Sequence, residues 1–170
     1  MSTTPVQTHF ARSIDDDRWA WARRRRVRRR AALAEIALVV LLMAATLAAA
    51  TTDEGWTTWF LAVWTIGLLA FIPLHSVLNA GTRGLFDRSR RSLDEHQQAL
   101  RQRSYNAMGW PGTALTFFAW SGAVALVGTT GHVPLALCLG FLLWLSAGLL
   151  HYWHLAWTAP EEPAAADPEF

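Results

Sequence analysis

Four long blocks of apolar residues, almost free of charge, dominate this chain. They cover residues 31–50, 56–80, 108–128 and 134–157. The first, AALAEIALVVLLMAATLAAA, is 20 residues long, which matches the roughly 20 residues that a helix needs to cross about 30 Å of hydrocarbon. A helix also satisfies its own backbone polar groups inside a bilayer. We therefore expect an all-α fold, an integral membrane bundle of four transmembrane helices.

The arginine residues predict the orientation of these helices. All 15 basic residues are Arg: nine precede the first block and six lie in the connecting segment 81–107. The two short connections and the tail contain none. Short segments rich in Arg stay on the cytoplasmic side of a membrane. We therefore expect a multi-pass protein of the bacterial cytoplasmic (plasma) membrane with its N-terminus and C-terminus in the cytoplasm.

The start of the chain allows one alternative to this topology. A basic leader, an apolar stretch and the small residues Ala48, Ala49 and Ala50 together resemble a cleavable signal peptide. Cleavage would leave three spans and place the new N-terminus outside. We favour four spans, because the apolar stretch has full membrane-spanning length.

The polar parts of the chain divide it into three regions. Residues 1–30 form a cytoplasmic basic segment, residues 31–157 form the four-span domain, and residues 158–170 form an acidic cytoplasmic tail. The tail is rich in Pro, Ala and acidic residues, a composition that predicts disorder. No clean Gly-x-x-x-Gly motif occurs in the spans, so the sequence predicts no particular oligomer.

A run of arginines adjoins the first span and predicts a partner. Such a run attracts anionic lipid headgroups, by about 1 kcal/mol per residue near the surface. No nucleic acid is expected, because no reading module accompanies the run. The expected partners are anionic headgroups of the bilayer and a protein on the cytoplasmic side. The predicted lipid-binding residues are Arg23, Arg24, Arg25, Arg26, Arg28, Arg29 and Arg30.

Ionisable residues within the spans are candidate functional residues, because they are costly there and usually face the bundle interior. The topology brings Glu35, His75, His151 and His154 to a similar depth near the cytoplasmic boundary. His151 and His154 are three residues apart and share a helix face. These residues could bind a metal or haem, relay protons, or make interhelical hydrogen bonds. We favour hydrogen bonding and expect no cofactor; the metal alternative uses His75, His151 and His154, with Glu35 as a further ligand.

The connecting segment 81–107 contains an apparent helix start. Ser92 and Glu95 are spaced as a capping box, in which the Ser hydroxyl and the Glu side chain satisfy backbone N–H groups. Leu93, Leu100 and Ala107 recur every seven residues. We therefore expect an amphipathic cytoplasmic helix between spans two and three, which could run directly into span three. Its thin apolar stripe would lie on the membrane or against the N-terminal segment.

This segment also carries a resemblance. Leu93-Asp94-Glu95-His96-Gln97, followed by Leu100-Arg101, Arg103 and Tyr105, resembles the "LDERQ…LR.RA" segment of small uncharacterised actinobacterial membrane proteins. Residues 79–85 resemble the stretch just before it, so the likeness covers about 30 residues. It implies that the segment joins two spans, and it implies no catalytic residue. His96 departs from the pattern, which has Arg at that place.

No phosphate loop, HExxH, nucleophile elbow or paired-Cys motif is present. We therefore expect a small non-enzymatic membrane protein, an accessory or regulatory partner that acts through its cytoplasmic face. One alternative is a small proton-coupled transporter that uses Glu35. The long connecting segment and the shallow position of Glu35 argue against it. The other alternative is a metal- or haem-binding redox subunit that uses the three histidines.

Overall fold

The computed structural model describes residues 19–52, 54–89 and 93–160. These residues include the helices α1 (Ala20–Arg23), α2 (Arg25–Ala50), α3 (Trp56–Gly81), α4 (Glu95–Thr130) and α5 (Val133–Thr158). The four longer helices are long and apolar enough to cross a membrane. The predicted all-α class is therefore confirmed, together with four candidate spans. Most of the predicted disordered tail, residues 161–170, lies outside the described residues.

The first long helix begins earlier than its apolar block. Arg24 has an extended backbone, with φ −61° and ψ 131°, and this bend separates α1 from α2. From Arg25 onward the chain is helical, because Arg is a good helix former and nothing in the run interrupts it. The apolar boundary at residue 31 thus marks a change of side chains within a continuous helix.

The predicted amphipathic helix runs directly into the third apolar block, which is one of the expected arrangements. Helix α4 runs for 36 residues and contains residues 95–107 of the predicted connecting segment as well as that block. Leu93 and Leu100 pack with Leu85 and Leu155. The predicted apolar stripe therefore packs against the end of α5 rather than against the N-terminal segment.

The predicted capping box of Ser92 and Glu95 is out of register by two residues. Asp94 is the N-cap of α4: its Oδ1 accepts a hydrogen bond of 2.7 Å from the Gln97 backbone N–H, and the Gln97 side chain accepts one of 3.4 Å in return. Glu95 is the first helical residue, and Ser92 lies outside the described residues. A carboxylate at this place adds charge attraction to the positive helix end, which a hydroxyl lacks.

The four long helices form an open row rather than a closed bundle. Their main contacts place them in the order α3, α2, α5, α4, with α2 between α3 and α5. Helix α4 packs mainly on α5 and buries only Ser104 and Ala119. Helices α2 and α5 therefore form the centre of the molecule.

Two apolar clusters hold the centre of this row together. One joins Leu42 of α2 to Phe60 and Trp64 of α3 and to Leu135 and Leu142 of α5. The other, at the opposite end of the helices, contains Ala31, Ala32, Leu78, Tyr152 and Ala156. We call this second end the basic end; there α2 and α4 begin and α3 and α5 end. The turn end is the other one, where residues 51–55 and 131–132 connect the helices.

Candidate functional site at the basic end

Glu35 is fully buried in the centre of the helix row. Its side chain is 0% exposed. The buried residues of α2 recur every three or four positions along one face, and Glu35 lies on that face: Arg28, Ala31, Ala32, Glu35, Val39, Leu42, Thr46, Ala49 and Ala50. Because α2 lies between α3 and α5, the Glu35 carboxyl group can contact both of those helices.

Both carboxyl oxygens of Glu35 are hydrogen-bonded. Oε1 lies 3.0 Å from Nδ1 of His75 on α3. Oε2 accepts a hydrogen bond of 2.7 Å from Nε1 of Trp153 on α5. The indole N–H can only donate, so the direction of the second bond is fixed. One buried side chain thus joins three helices, and the prediction that Glu35 and His75 reach the same depth is confirmed.

The donor and acceptor roles in the contact between Glu35 and His75 depend on the imidazole tautomer, because Nδ1 can donate to a carboxylate or accept from a carboxylic acid. The His75 side chain is 27% exposed, whereas that of Glu35 is 0% exposed. His75 is therefore the member of the pair that groups outside the helix row can reach.

Aromatic rings hold the His75 imidazole in place. Phe71 stacks on it, with ring centroids 5.3 Å apart and an interplanar angle of 9°. Tyr152 meets it edge-on at 5.1 Å. Phe71 is four residues before His75 on α3, a spacing that places both on one helix face. The ring is therefore fixed by its own helix and by α5.

A second polar group lies beside the first, toward the end of α3. The Tyr152 hydroxyl donates to Oδ1 of Asp87 at 3.0 Å, and the Asn79 side chain donates to Oδ2 of Asp87 at 2.6 Å. These bonds join α5 and α3 to the segment that follows α3. Tyr152 belongs to both groups, since its ring touches His75 and its hydroxyl binds Asp87.

His151 and His154 face α4 rather than Glu35. The Ser104 hydroxyl donates to the backbone oxygen of His151 at 2.9 Å, and Nδ1 of His154 lies 3.2 Å from the same hydroxyl. The His151 ring packs on Tyr105, at a centroid distance of 4.4 Å. The prediction that the two histidines share a helix side holds, but that side is turned toward α4.

The predicted metal site of His75, His151 and His154, with Glu35, is wrong. Among residues 19–52, 54–89 and 93–160, no three His, Cys, Asp or Glu side chains converge as metal ligands. The physical reason is that α5 turns its two histidines toward α4, whereas Glu35 and His75 lie on the opposite side, between α2 and α3. The redox-subunit alternative therefore lacks a single metal site built from the three histidines, whereas its haem-binding form stays a prediction.

The predicted lipid-binding run also requires a correction at Arg28. This side chain is 4% exposed, and its guanidinium donates to the backbone oxygens of Ala159 at 2.8 Å and Pro160 at 3.3 Å. Arg29 donates to the Trp157 oxygen at 3.2 Å and lies over the Trp157 ring at 4.6 Å. These two arginines fasten the start of α2 to the end of α5, because the last carbonyls of a helix have no partner within it.

Trp153 and Ser104 are among the site residues that the sequence did not predict. One signal was available for Trp153: a donor-only indole and an acid at the same predicted depth are natural partners. Ser104 carried no such signal, because its burial depends on which side of α4 faces α5, and the local sequence does not report this.

No protein-family model, curated protein or solved structure matches this chain. The geometry of the basic end and the patterning of the helices are therefore the grounds on which a function is proposed.

Proposed function

We propose that this chain is an integral protein of the bacterial cytoplasmic membrane, with four spans and both termini in the cytoplasm. It is a non-enzymatic accessory or regulatory protein that binds another protein through the basic end. We also propose that the protein is related to the small actinobacterial membrane proteins whose connecting segment its own resembles. The arginine distribution supports the orientation, because all 15 Arg residues lie in segments 1–30 and 81–107 and none lies in the two short connections.

The observation that carries the proposal is the unequal construction of the two ends. The turn end consists of two short connections. The basic end has a folded cap in which Leu85, Leu93, Leu155 and Ala159 form their own apolar cluster. Polar bonds reinforce it, among them the one from Arg101 to the Arg88 backbone oxygen at 2.8 Å. An ordered polar surface at one end suits recognition of a partner on that side.

The first turns of α4 offer the surface that such a partner would contact. Their inner face is occupied, because Ser104 binds α5 and Leu100 packs on the cap. Their outer face has exposed polar side chains, namely those of Glu95, His96, Gln102, Arg103 and Asn106. We propose that this outer face of α4 contacts the protein partner.

Site-specific photo-crosslinking in native membranes tests the proposal. A photoreactive residue would replace Gln102 or Asn106 on the outer face of α4. Matched positions at the turn end are Thr51 and Thr129, which are also exposed. We expect a discrete protein adduct from the α4 positions alone. Equal adducts from both ends, or none from α4, would contradict a partner at the basic end.

Cysteine labelling tests the proposed orientation separately. The lone Cys138 would be replaced by Ser, and single cysteines placed at Ser89 or at Thr129, both exposed. A membrane-impermeant thiol reagent applied to intact cells should label the Thr129 position and spare the Ser89 position. The reverse pattern would place the basic end outside the cell.

Proton-coupled transport is the second candidate, and the buried Glu35–His75 contact of 3.0 Å favours it. A buried carboxyl group beside a partly exposed histidine is an arrangement typical of proton relays in membrane proteins. Proton flux into vesicles reconstituted with the protein distinguishes this candidate. A Glu35→Gln variant with unchanged flux would remove it, whereas loss of a measurable flux would favour it over the accessory role.

A further inference from the structure

We propose that one part of the arginine run, together with Trp21, forms a rigid binding surface for anionic phospholipid headgroups. The surface, which we call the headgroup face, consists of Trp21, Arg24, Arg25, Arg26 and Arg30. It is independent of the proposed protein-binding role of α4.

The division within the run is the first step in the argument. Arg24, Arg25, Arg26 and Arg30 are exposed, whereas Arg28 is buried. Arg28 and Arg29 already donate to backbone oxygens at the end of α5. The arginines of the run thus fall into two sets. Arg28 and Arg29 pack against the end of α5, whereas the exposed arginines carry their charges on the surface.

The headgroup face is held in place by the rest of the fold. Ala22 in α1 is 0% exposed and lies against the end of α3 at Gly81. A Cβ atom at Gly81 would lie 2.7 Å from the Ala22 oxygen and 2.9 Å from Cγ of Arg28, so only glycine allows this approach. Anchored cations lose less conformational entropy on binding than a loose basic tail does.

The position of the face along α2 matches the level of lipid phosphates. On the same side of the helix, exposed Arg26 and Arg30 are followed by Leu33 and Val40, which are 51% and 57% exposed. Arg30 and Leu33 are three residues apart, a rise of about 4.5 Å. The exposed surface thus changes from guanidinium to aliphatic over the distance that separates headgroups from acyl chains.

The adjoining apolar surface favours a membrane over a nucleic acid as the partner. Leu33 and Val40 belong to the proposed first span, so acyl chains surround them, and the phosphate groups of the same lipids lie next to Arg30. An anionic lipid satisfies both parts, because its phosphate meets Arg30 and its acyl chain covers the aliphatic residues. Trp21 is 45% exposed, and such amphipathic rings favour the membrane interface.

Native mass spectrometry of the full chain in an uncharged detergent tests the proposal. The probes are phosphatidylglycerol, phosphatidylcholine, inorganic phosphate and a single-stranded RNA oligonucleotide. The main variant replaces Arg25, Arg26 and Arg30 by Gln. We expect preferential binding of phosphatidylglycerol, weakened about fivefold for each guanidinium removed and about a hundredfold in the triple variant. A triple Lys variant should keep most of the binding, since the charge remains.

Arg28→Gln is the matched control, because it removes an identical charge from the same run. It should leave phosphatidylglycerol binding within twofold of the wild type while lowering the thermal midpoint. Arg30→Gln should weaken phosphatidylglycerol binding about fivefold and leave the thermal midpoint unchanged. An unchanged affinity in the triple variant, or equal binding of phosphatidylcholine, would overturn the proposal. Stronger binding of RNA than of phosphatidylglycerol would replace it with a nucleic-acid surface, and equal binding of inorganic phosphate would reduce it to an unspecific anion site.

Discussion

The carboxyl group of Glu35 and the indole of Trp153 join α2 to α5 by a hydrogen bond of 2.7 Å in the centre of the helix row. His75 of α3 takes the second carboxyl oxygen. Two consecutive helices and one that is distant in sequence thus share one buried acceptor. The apolar clusters on both sides can be repacked by similar side chains, whereas no apolar residue can replace this acceptor.

Replacing Glu35 by Leu should therefore lower the free energy of unfolding by about 2–3 kcal/mol, because the indole and the imidazole lose their acceptor. Glu35→Gln should cost less, since its amide oxygen can still accept from Trp153. The measurement is a denaturant titration in detergent micelles.

A double variant supplies the control for the Glu35 prediction. Combining Glu35→Leu with His75→Phe removes both members of the pair and should recover about 1 kcal/mol relative to the sum of the single changes. Strict additivity of the two changes would show that Glu35 and His75 are not coupled.

The Trp153 hydrogen bond can be tested on its own. Trp153→Phe keeps an aromatic ring and removes the N–H donor, so we expect a loss of about 1–1.5 kcal/mol in the free energy of unfolding. Trp144 lies nine residues before Trp153 on α5 and is 60% exposed. Trp144→Phe should therefore change stability by less than about 0.5 kcal/mol. Equal losses in both variants would mean that the indole donor contributes nothing specific.

Gly81 should not tolerate the smallest side chain. Gly81→Ala would bring a methyl group to 2.7 Å from the Ala22 oxygen, and backbone cannot move aside as a flexible side chain can. We expect a loss of about 1–3 kcal/mol. At Gly148, where no atom lies within 4 Å of the corresponding position, Ala should stabilise α5 by up to about 1 kcal/mol. Thermal midpoints that move in the same direction for both variants would contradict the close approach of α1 to α3.

The corrected helix start at Asp94 makes a local prediction. Asp94→Ala should cost about 1 kcal/mol, whereas Asp94→Ser should cost only a few tenths, because Ser also caps helices. Amide hydrogen exchange of residues 96–98 reports this change directly, and exchange should accelerate in the Ala variant alone. Faster exchange in the Ser variant as well would indicate that the carboxylate charge, not the cap, orders this turn.

The sequence predicted the four long helices well, because apolar blocks of spanning length have few other solutions. It predicted their limits less well. The apolar pattern indicates which residues avoid water. A helix, however, continues for as long as its backbone N–H and C=O groups can form hydrogen bonds within it. Residues 25–30 and 95–107 are helical although they lie outside the apolar blocks. The helix start and the seven-residue spacing predicted the second stretch, whereas no pattern predicted the first.

The site was predicted in part for a similar reason. Span lengths and directions gave the depth of Glu35 and His75, and depth was enough to bring them together. Depth does not determine the side of a helix. His151 and His154 have the same depth but face α4, and only the lateral order of the helices decides this. That order depends on packing between side chains from all four spans, which no local pattern reports.

The lateral order has a consequence for how the protein is made. Helix α2 is the earliest of the four long helices to be synthesised, and α5 is the latest. The Glu35 carboxyl group therefore meets its Trp153 donor only when nearly the whole described chain has emerged from the ribosome. Until then α2 exposes an acid that lacks one of its two partners, a feature that bilayers tolerate poorly. A chain that ends before α5 therefore lacks the Trp153 donor, and one oxygen of its Glu35 carboxyl group is left without this partner.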